Sequence, residues 1–179
     1  IHEFKKAMEM MEIPMFNTLY ADYSGNIYYI YNALIPKREK GYDWSKIVPG
    51  DNSALIWDSY YSFNELPQSL NPESGYLQNC NSTPYEATIG KGNPINSLPE
   101  EAGIETFQTN RAFRANELYG QDLSISRQEF GDYKYDTFYS KKSVMKYALD
   151  QFLSNIDRTN DKYLDAIKVL ENWDLSNDM

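Results

Sequence analysis

Apolar and polar positions change their rhythm along the chain, and each change marks an element. From Ile1 to Ile13, Phe4, Ala7, Met8 and Met11 recur along one side of a helix, with Lys6 and Glu9 toward the other. Pro14 ends that pattern, because its ring cannot continue a helix. Phe16 to Asp22 and Asn26 to Leu34 are rich in Tyr, Ile and Thr and are separated by Tyr23, Ser24 and Gly25, which predicts two strands joined by a tight turn. From Ile35 to Pro72 the chain carries Pro36, Gly41, Pro49, Gly50, Pro67 and Pro72, with Trp44 and Trp57 among polar residues, and reads as an ordered loop pinned by aromatic rings. Gly75 to Asn81 reads as a short strand ahead of Ser82, Thr83 and Pro84; within it Cys80 alternates with Asn79 and Asn81 and is expected to point the opposite way, into a core. A second irregular stretch, Tyr85 to Ala102, holds Gly90, Gly92, Pro94 and Pro99.

The final third is helical in pattern. Ile104 to Leu118 suits a helix, and Ser126 with Glu129 has the Ser-x-x-Glu spacing of a capping box. Ser143 to Ile156 sets Val144, Tyr147, Ala148, Gln151 and Phe152 along one side, and Tyr163 to Trp173 sets Tyr163, Ala166, Ile167, Leu170 and Trp173 at helical spacing, which predicts an antiparallel pair packed on these faces. The fold class is α+β. The chain is read as one partial domain over 1–179, with helix, hairpin and Asn-bearing strand in 1–84 and an insertion loop followed by packed helices in 85–179.

Composition narrows the function. The 179 residues include 17 Lys plus Arg against 26 Asp plus Glu, a net charge of -9, and no basic run tracks a phosphate backbone, so nucleic acid is not expected as a partner. The single histidine, His2, and single cysteine, Cys80, leave no internal disulfide, histidine-based triad or cysteine zinc cluster to build. No apolar run approaches the roughly 20 residues of a membrane span, and the residues from Ile1 onward do not show a basic-then-apolar leader pattern. The 16 tyrosines admit two readings, a ligand wall or interface and ordinary half-buried strand residues. Asp22, Asp43 and Asp58 read as solvated or turn-capping carboxylates, and no pair of acids stands in a setting that would split their pKa values for two-carboxylate hydrolysis.

The segment NTLYADYSGNIYYIYNALIPKRE, followed by YDWSKIVPG and then FNELPQSLNPESGYLQNCNSTP, resembles the penicillin amidase family in content and order. That family, which includes penicillin, cephalosporin and acyl-homoserine-lactone acylases, typically shows a Tyr-Ala-Asp strand, a Gly-Asn-Ile hairpin return, an Ile-Pro-x-Arg exit, a Pro-Gly loop and an Asn-Pro-x-Ser-Gly strand leading to Asn-x-Asn. The strong likeness covers about Phe16 to Pro84. Asn110 to Phe113 with Arg114 look like the family's helix that begins with a functional arginine, and Leu170 to Asp174 resembles its Leu-x-x-Trp-Asp element. Residues Tyr85 to Ile104 look longer than in the well-known penicillin acylases.

The resemblance implies an N-terminal nucleophile hydrolase with a layered αββα fold, made as a self-cleaving precursor. Its nucleophile, a Ser or another first residue of the large chain, uses its own α-amino group as base; the unperturbed pKa of such a group, about 7.7–8.0, suits that role near neutrality without a histidine. By the same resemblance Asn81 is an oxyanion-hole donor, a role worth about 2.7–4 kcal/mol in well-studied hydrolases. The residue-level alternative is an Asn that satisfies backbone groups before a turn. Arg111 is implied to orient nucleophile and substrate and to favour the neutral amine, with Arg114 as a rival for that alignment and a surface ion pair as the alternative. Asn79 and Cys80 receive no catalytic role. Ile1 has neither hydroxyl nor thiol, so the nucleophile is expected upstream and the chain by itself is expected to be inactive. No cofactor is expected in this chain, although a structural calcium is possible in the complete protein. The implied partners are the small chain, the start of the large chain and an acylated small molecule such as a β-lactam side chain or acyl-homoserine lactone; the implied location is periplasmic or extracellular. The alternative is a non-catalytic ligand-binding module derived from the same fold.

Overall fold

The computed structural model describes residues 1–177 and divides into two compact units, Ile1–Phe107 and the chain from Gln108 onward. Among the described residues it holds five α-helices and one three-stranded antiparallel sheet, an α+β architecture.

The first unit is built around the hairpin. Strands β1 (Met15–Ala21) and β2 (Ile27–Ala33) pair from Met15↔Ala33 to Ala21↔Ile27. The turn is closed by Asp22: its Oδ1 accepts the backbone N–H groups of Ser24 and Asn26, and Oδ2 accepts the Asn26 side-chain amide at 2.9 Å and the Tyr20 hydroxyl at 3.1 Å. The Asn26 amide, with these other donors, holds the Asp22 carboxyl at about 2, below the usual carboxylate range. Gly25 supplies the positive φ of 86° that the turn needs, a backbone state costly for residues with a Cβ.

Strand β2 is buried on both faces. Tyr28 and Ile30 pack with Phe63 against Phe4 and Met8 of helix α1 (His2–Glu9), while Tyr29, Tyr31 and Ala33 pack with Ile35, Leu66, Ala87 and Ala102 from the loops. A strand covered on both sides carries a near-continuous apolar run, which is why Ile27–Ala33 lacks polar alternation. Its tyrosines keep their hydroxyls bonded: Tyr28 donates to Gln68 Oε1 at 2.8 Å, Tyr31 to Glu105 Oε2 at 3.3 Å, and Tyr29 to Asn17 Oδ1. Burial, with the Glu105 charge, pushes the Tyr31 hydroxyl up to about 12.

The far edge of β2 is covered by an element the sequence pattern did not predict. Strand β3 (Gln68–Leu70) lies inside the expected irregular stretch and pairs Tyr28↔Leu70, Tyr29↔Ser69 and Ile30↔Gln68. Pro67, which lacks an N–H, sits just before the strand and contributes only its carbonyl, to the Tyr31 N–H at 2.9 Å.

The expected Asn-bearing strand over Gly75–Asn81 is not a strand; among the described residues no ladder forms there. Instead Gln78 folds back on a later turn, its backbone N–H donating to Ala87 O at 2.8 Å and its amide to Glu86 O at 2.7 Å. Asn81 then leaves extended geometry with a φ of 54°. Period-two alternation therefore does not place Cys80, which is half-buried and belongs to neither apolar cluster.

The second unit is helical. Helix α2 (Asn110–Tyr119) starts later than the expected Ile104, because Thr109 accepts the Ala112 N–H and caps it at 3.2 Å. Helix α3 (Arg127–Lys134) carries the expected capping box from both Ser126 and Glu129. Helices α4 (Val144–Asn155, capped by Ser143) and α5 (Leu164–Glu171) touch, and Arg158 bonds both Leu153 O and Glu171. The face expected to be buried on α4 is instead turned outward, with Val144 at 80%, Tyr147 at 67% and Phe152 at 48% exposure; Lys146, Leu149 and Leu153 are the half-covered positions. Segments 137–139 and 175–177 close the unit through Tyr139 N–H to Leu175 O at 2.8 Å and Asn177 N–H to Thr137 O at 3.0 Å, with Trp173 packed edge-on against Tyr139.

Candidate functional site

Asn81 sits at a corner built by its neighbours. Its N–H donates to Asn79 Oδ1 at 3.2 Å, an Asx turn that stabilises the left-handed backbone. Asn is one of the few residues other than glycine that enter this region readily. Beyond the corner the chain is anchored: the Thr83 N–H donates to Phe107 O at 3.1 Å, Thr83 caps the Pro84–Glu86 turn through the Tyr85 N–H, and Ser82, Thr83 and Pro84 are buried. The Asn81 side chain is exposed between these two fixed points. Ser82 Oγ, one residue on, is buried without a hydrogen-bond partner among the described residues.

Arg111 belongs to the second unit, at the second position of α2, and is exposed. The structure separates it from its rival. Arg114 is consumed by an acidic clamp: Nε and Nη2 bond both oxygens of Asp136 at 2.8 and 2.7 Å, and Nη1 bonds Glu117 Oε2 at 2.8 Å. The Asp136 and Glu117 carboxylates raise the guanidinium pKa further above its already high value. Only the Arg114–Glu117 spacing could have signalled this clamp from sequence; Asp136 lies too far along the chain to be paired by pattern.

A second feature was foreseen in its aromatic rings but not in the arginine among them. In the first unit a cleft of about 910 Å³ is lined by Arg38, Tyr42, Trp44 and Tyr85, with Asp43 and Glu100 on its wall. The Arg38 guanidinium lies 5.7 Å from the Trp44 ring and 5.3 Å from that of Trp57, and its Nη1 donates to Glu101 O at 2.9 Å. Gly103, with a φ of 70°, passes close to this guanidinium: a Cβ there would meet Arg38 Nη1 at 2.5 Å. Arg38 Nε is buried without a partner among the described residues.

Among the described residues no three His, Cys, Asp or Glu side chains converge as a metal site. No described helix is long and apolar enough to cross a membrane.

Comparison with known proteins gives this geometry a context. The family model for penicillin amidase matches residues 1–179. Penicillin G acylase of Escherichia coli is 38% identical over 70 residues, which is 39% of this chain and 8% of that protein. A solved structure of a thermostable penicillin G acylase from Alcaligenes faecalis superposes on 100% of this chain with a TM-score of 0.70 at 25% identity, and the match covers 31% of that chain. This chain thus spans less than a third of either relative, and its helices and sheet reproduce part of an acylase of the N-terminal nucleophile hydrolase fold. With its whole described length inside one family model and its architecture inside an acylase, the chain belongs to the penicillin amidase family.

Proposed function

We propose that the complete protein is a self-processing acylase that hydrolyses a linear amide of an acylated small molecule, to which this chain contributes Asn81 as an oxyanion donor and Arg111 as an orienting cation. The observation that carries this reading is the ordered motif set from Phe16 to Pro84 in a chain that matches the penicillin amidase model from end to end. In this reading the first-residue nucleophile attacks the amide carbonyl and its α-amino group takes the hydroxyl or thiol proton. The carbonyl electrons move onto oxygen, where the Asn81 carboxamide donates a hydrogen bond, and collapse expels the amine with the proton returned to it. Water then releases the acid by the same steps. Arg111, a fixed positive charge, disfavours protonation of the amine and keeps it in its accepting form. Lacking the nucleophile, this chain alone is inactive, and its partners are the small chain and the start of the large chain. A periplasmic or extracellular location goes with the same reading.

The corner at Asn81 supports its role, because the backbone that carries this exposed residue is fixed on one side by Asn79 and on the other by the Thr83 bond to Phe107. The first test is the intact mass and amino-terminal sequence of the product of the complete reading frame. Two chains, the larger opening on Ser, Cys or Thr, support the acylase; one uncut chain without such a residue sinks it. Asn81→Gly then isolates the donor, since glycine keeps the left-handed backbone. A loss of roughly 100- to 1000-fold in kcat is expected, and unchanged kcat removes Asn81 from the mechanism.

The aromatic cleft around Arg38 favours a second reading, a ligand-binding module on the same fold. The uncut-chain outcome of the mass measurement is the result that selects it.

A further inference from the structure

The clamp on α2 has a geometry that bears on Arg111. Asn110, Arg114 and Glu117 are spaced so as to share one face of the helix. The segment Asp136–Ser140 is bonded along that face. Asp136 takes two donors of Arg114, Glu117 Oε1 accepts the Ser140 hydroxyl at 2.6 Å, and Asn110 Oδ1 accepts the Ser140 N–H at 2.8 Å. The Asn110 amide reaches Phe138 O at 3.5 Å, and Arg114 also lies 5.8 Å from the Phe138 ring centre. Ser140 is fully buried, and its hydroxyl and carbonyl accept the N–H groups of Lys142 and Ser143 at 3.0 Å each, which joins the clamp to the cap of α4. Arg111 is the residue next to Asn110, turned about 100° away from the clamped face. The helix cannot rotate or slide under Arg111 without breaking bonds at both its first turn and its middle.

We propose that Arg114, Asp136, Glu117 and Ser140 are positioning residues that fix the direction of Arg111. This rests on the reading of Arg111 given above. Arg114 itself does not bind substrate: a substrate carboxylate would have to displace the two-pronged Asp136 contact. The clamp acts on the reaction only through the helix, so loosening it misdirects Arg111 without removing any group that touches substrate.

The test uses the complete processed protein and the acyl anilide that it cleaves fastest. Asp136→Asn keeps the size of the side chain and removes its charge. The expected result is a fall in kcat of about tenfold, inside the ~100-fold that a 1 Å misplacement can cause, with KM changed less than about twofold. The acid limb of kcat/KM moves to higher pH, because a misdirected cation lowers the pKa of the nucleophile's amine less. Arg111→Ala moves that limb the same way and further, and Asp136→Glu restores part of kcat. A variant that loses thermal stability but keeps kcat and the acid limb overturns the proposal. If Arg111→Ala itself leaves both untouched, the role of Arg111 falls, and this inference falls with it for that separate reason. Should Asp136→Asn fail to fold, Ser140→Ala, which keeps the ion pair and cuts one bond of the clamp, is judged by the same two readouts.

Discussion

The two units hold themselves together by different means. The first has a strand buried on both faces, with Tyr28, Tyr29 and Ile30 fully out of water. The second has little to bury: α3 and α4 contribute no buried residue, α2 only Ala112 and α5 only Ile167, and its order comes from caps and from the Arg114 clamp. Apolar burial is non-directional and has no charge for salt to screen, whereas charge-assisted hydrogen bonds are directional and fix orientation. The unit that presents an arginine at a helix start is thus the one whose geometry is set by directed bonds.

The sharpest test of this contrast is Ile30→Ala, expected to cost about 2–5 kcal/mol by opening a cavity under α1. A urea midpoint that barely moves would mean that the first unit does not rest on β2. Next in size is Asp136→Ala, expected to cost about 1.5–3 kcal/mol through loss of charge-assisted bonds. That loss shrinks as salt is raised while that of Ile30→Ala does not, and equal salt dependence would erase the distinction. Ser126→Ala removes the cap of α3 and is expected to cost about 1 kcal/mol, read from thermal melts against Glu129→Ala. Smallest is Phe152→Ala, on the outward face of α4, expected within about 0.5 kcal/mol in the 179-residue chain. A loss above about 2 kcal/mol would show that this face is covered in solution.

What could be read from the sequence follows the same division. The hairpin was legible because its signal is local: two aromatic and β-branched runs about a Gly-bearing turn, which Asp22 closes as an Asx residue should. The caps at Ser126 and Ser143 are local too, and they stand where the spacing and periodicity set the helix starts. β3 was not legible, since three residues after a proline carry no periodicity and pair only because β2 offers an edge. Gly75–Asn81 misled for the opposite reason. Its alternation was real, but Asn79 offered the Asn81 N–H a bond that a ladder did not. On α4 the pattern showed an apolar stripe and could not show whether anything covered it. For the candidate site, motif order singled out Asn81 and Arg111, while the clamp beside Arg111 depends on a contact between distant segments that no spacing encodes.

The bond from Arg38 to the carbonyl of Glu101 spans 63 positions, and the chain between is largely irregular. Closing such a loop costs entropy that grows only with the logarithm of its length, about 0.6 kcal/mol for each doubling. With both ends fastened by one guanidinium against Gly103, residues can be added between them at small thermodynamic penalty. Within Tyr85 to Ile104, the part between the buried Ala87 and Ala102 is where the fold can host such length variation, and the corner that carries Asn81 lies before it, anchored by its own bonds to Ala87 and Phe107.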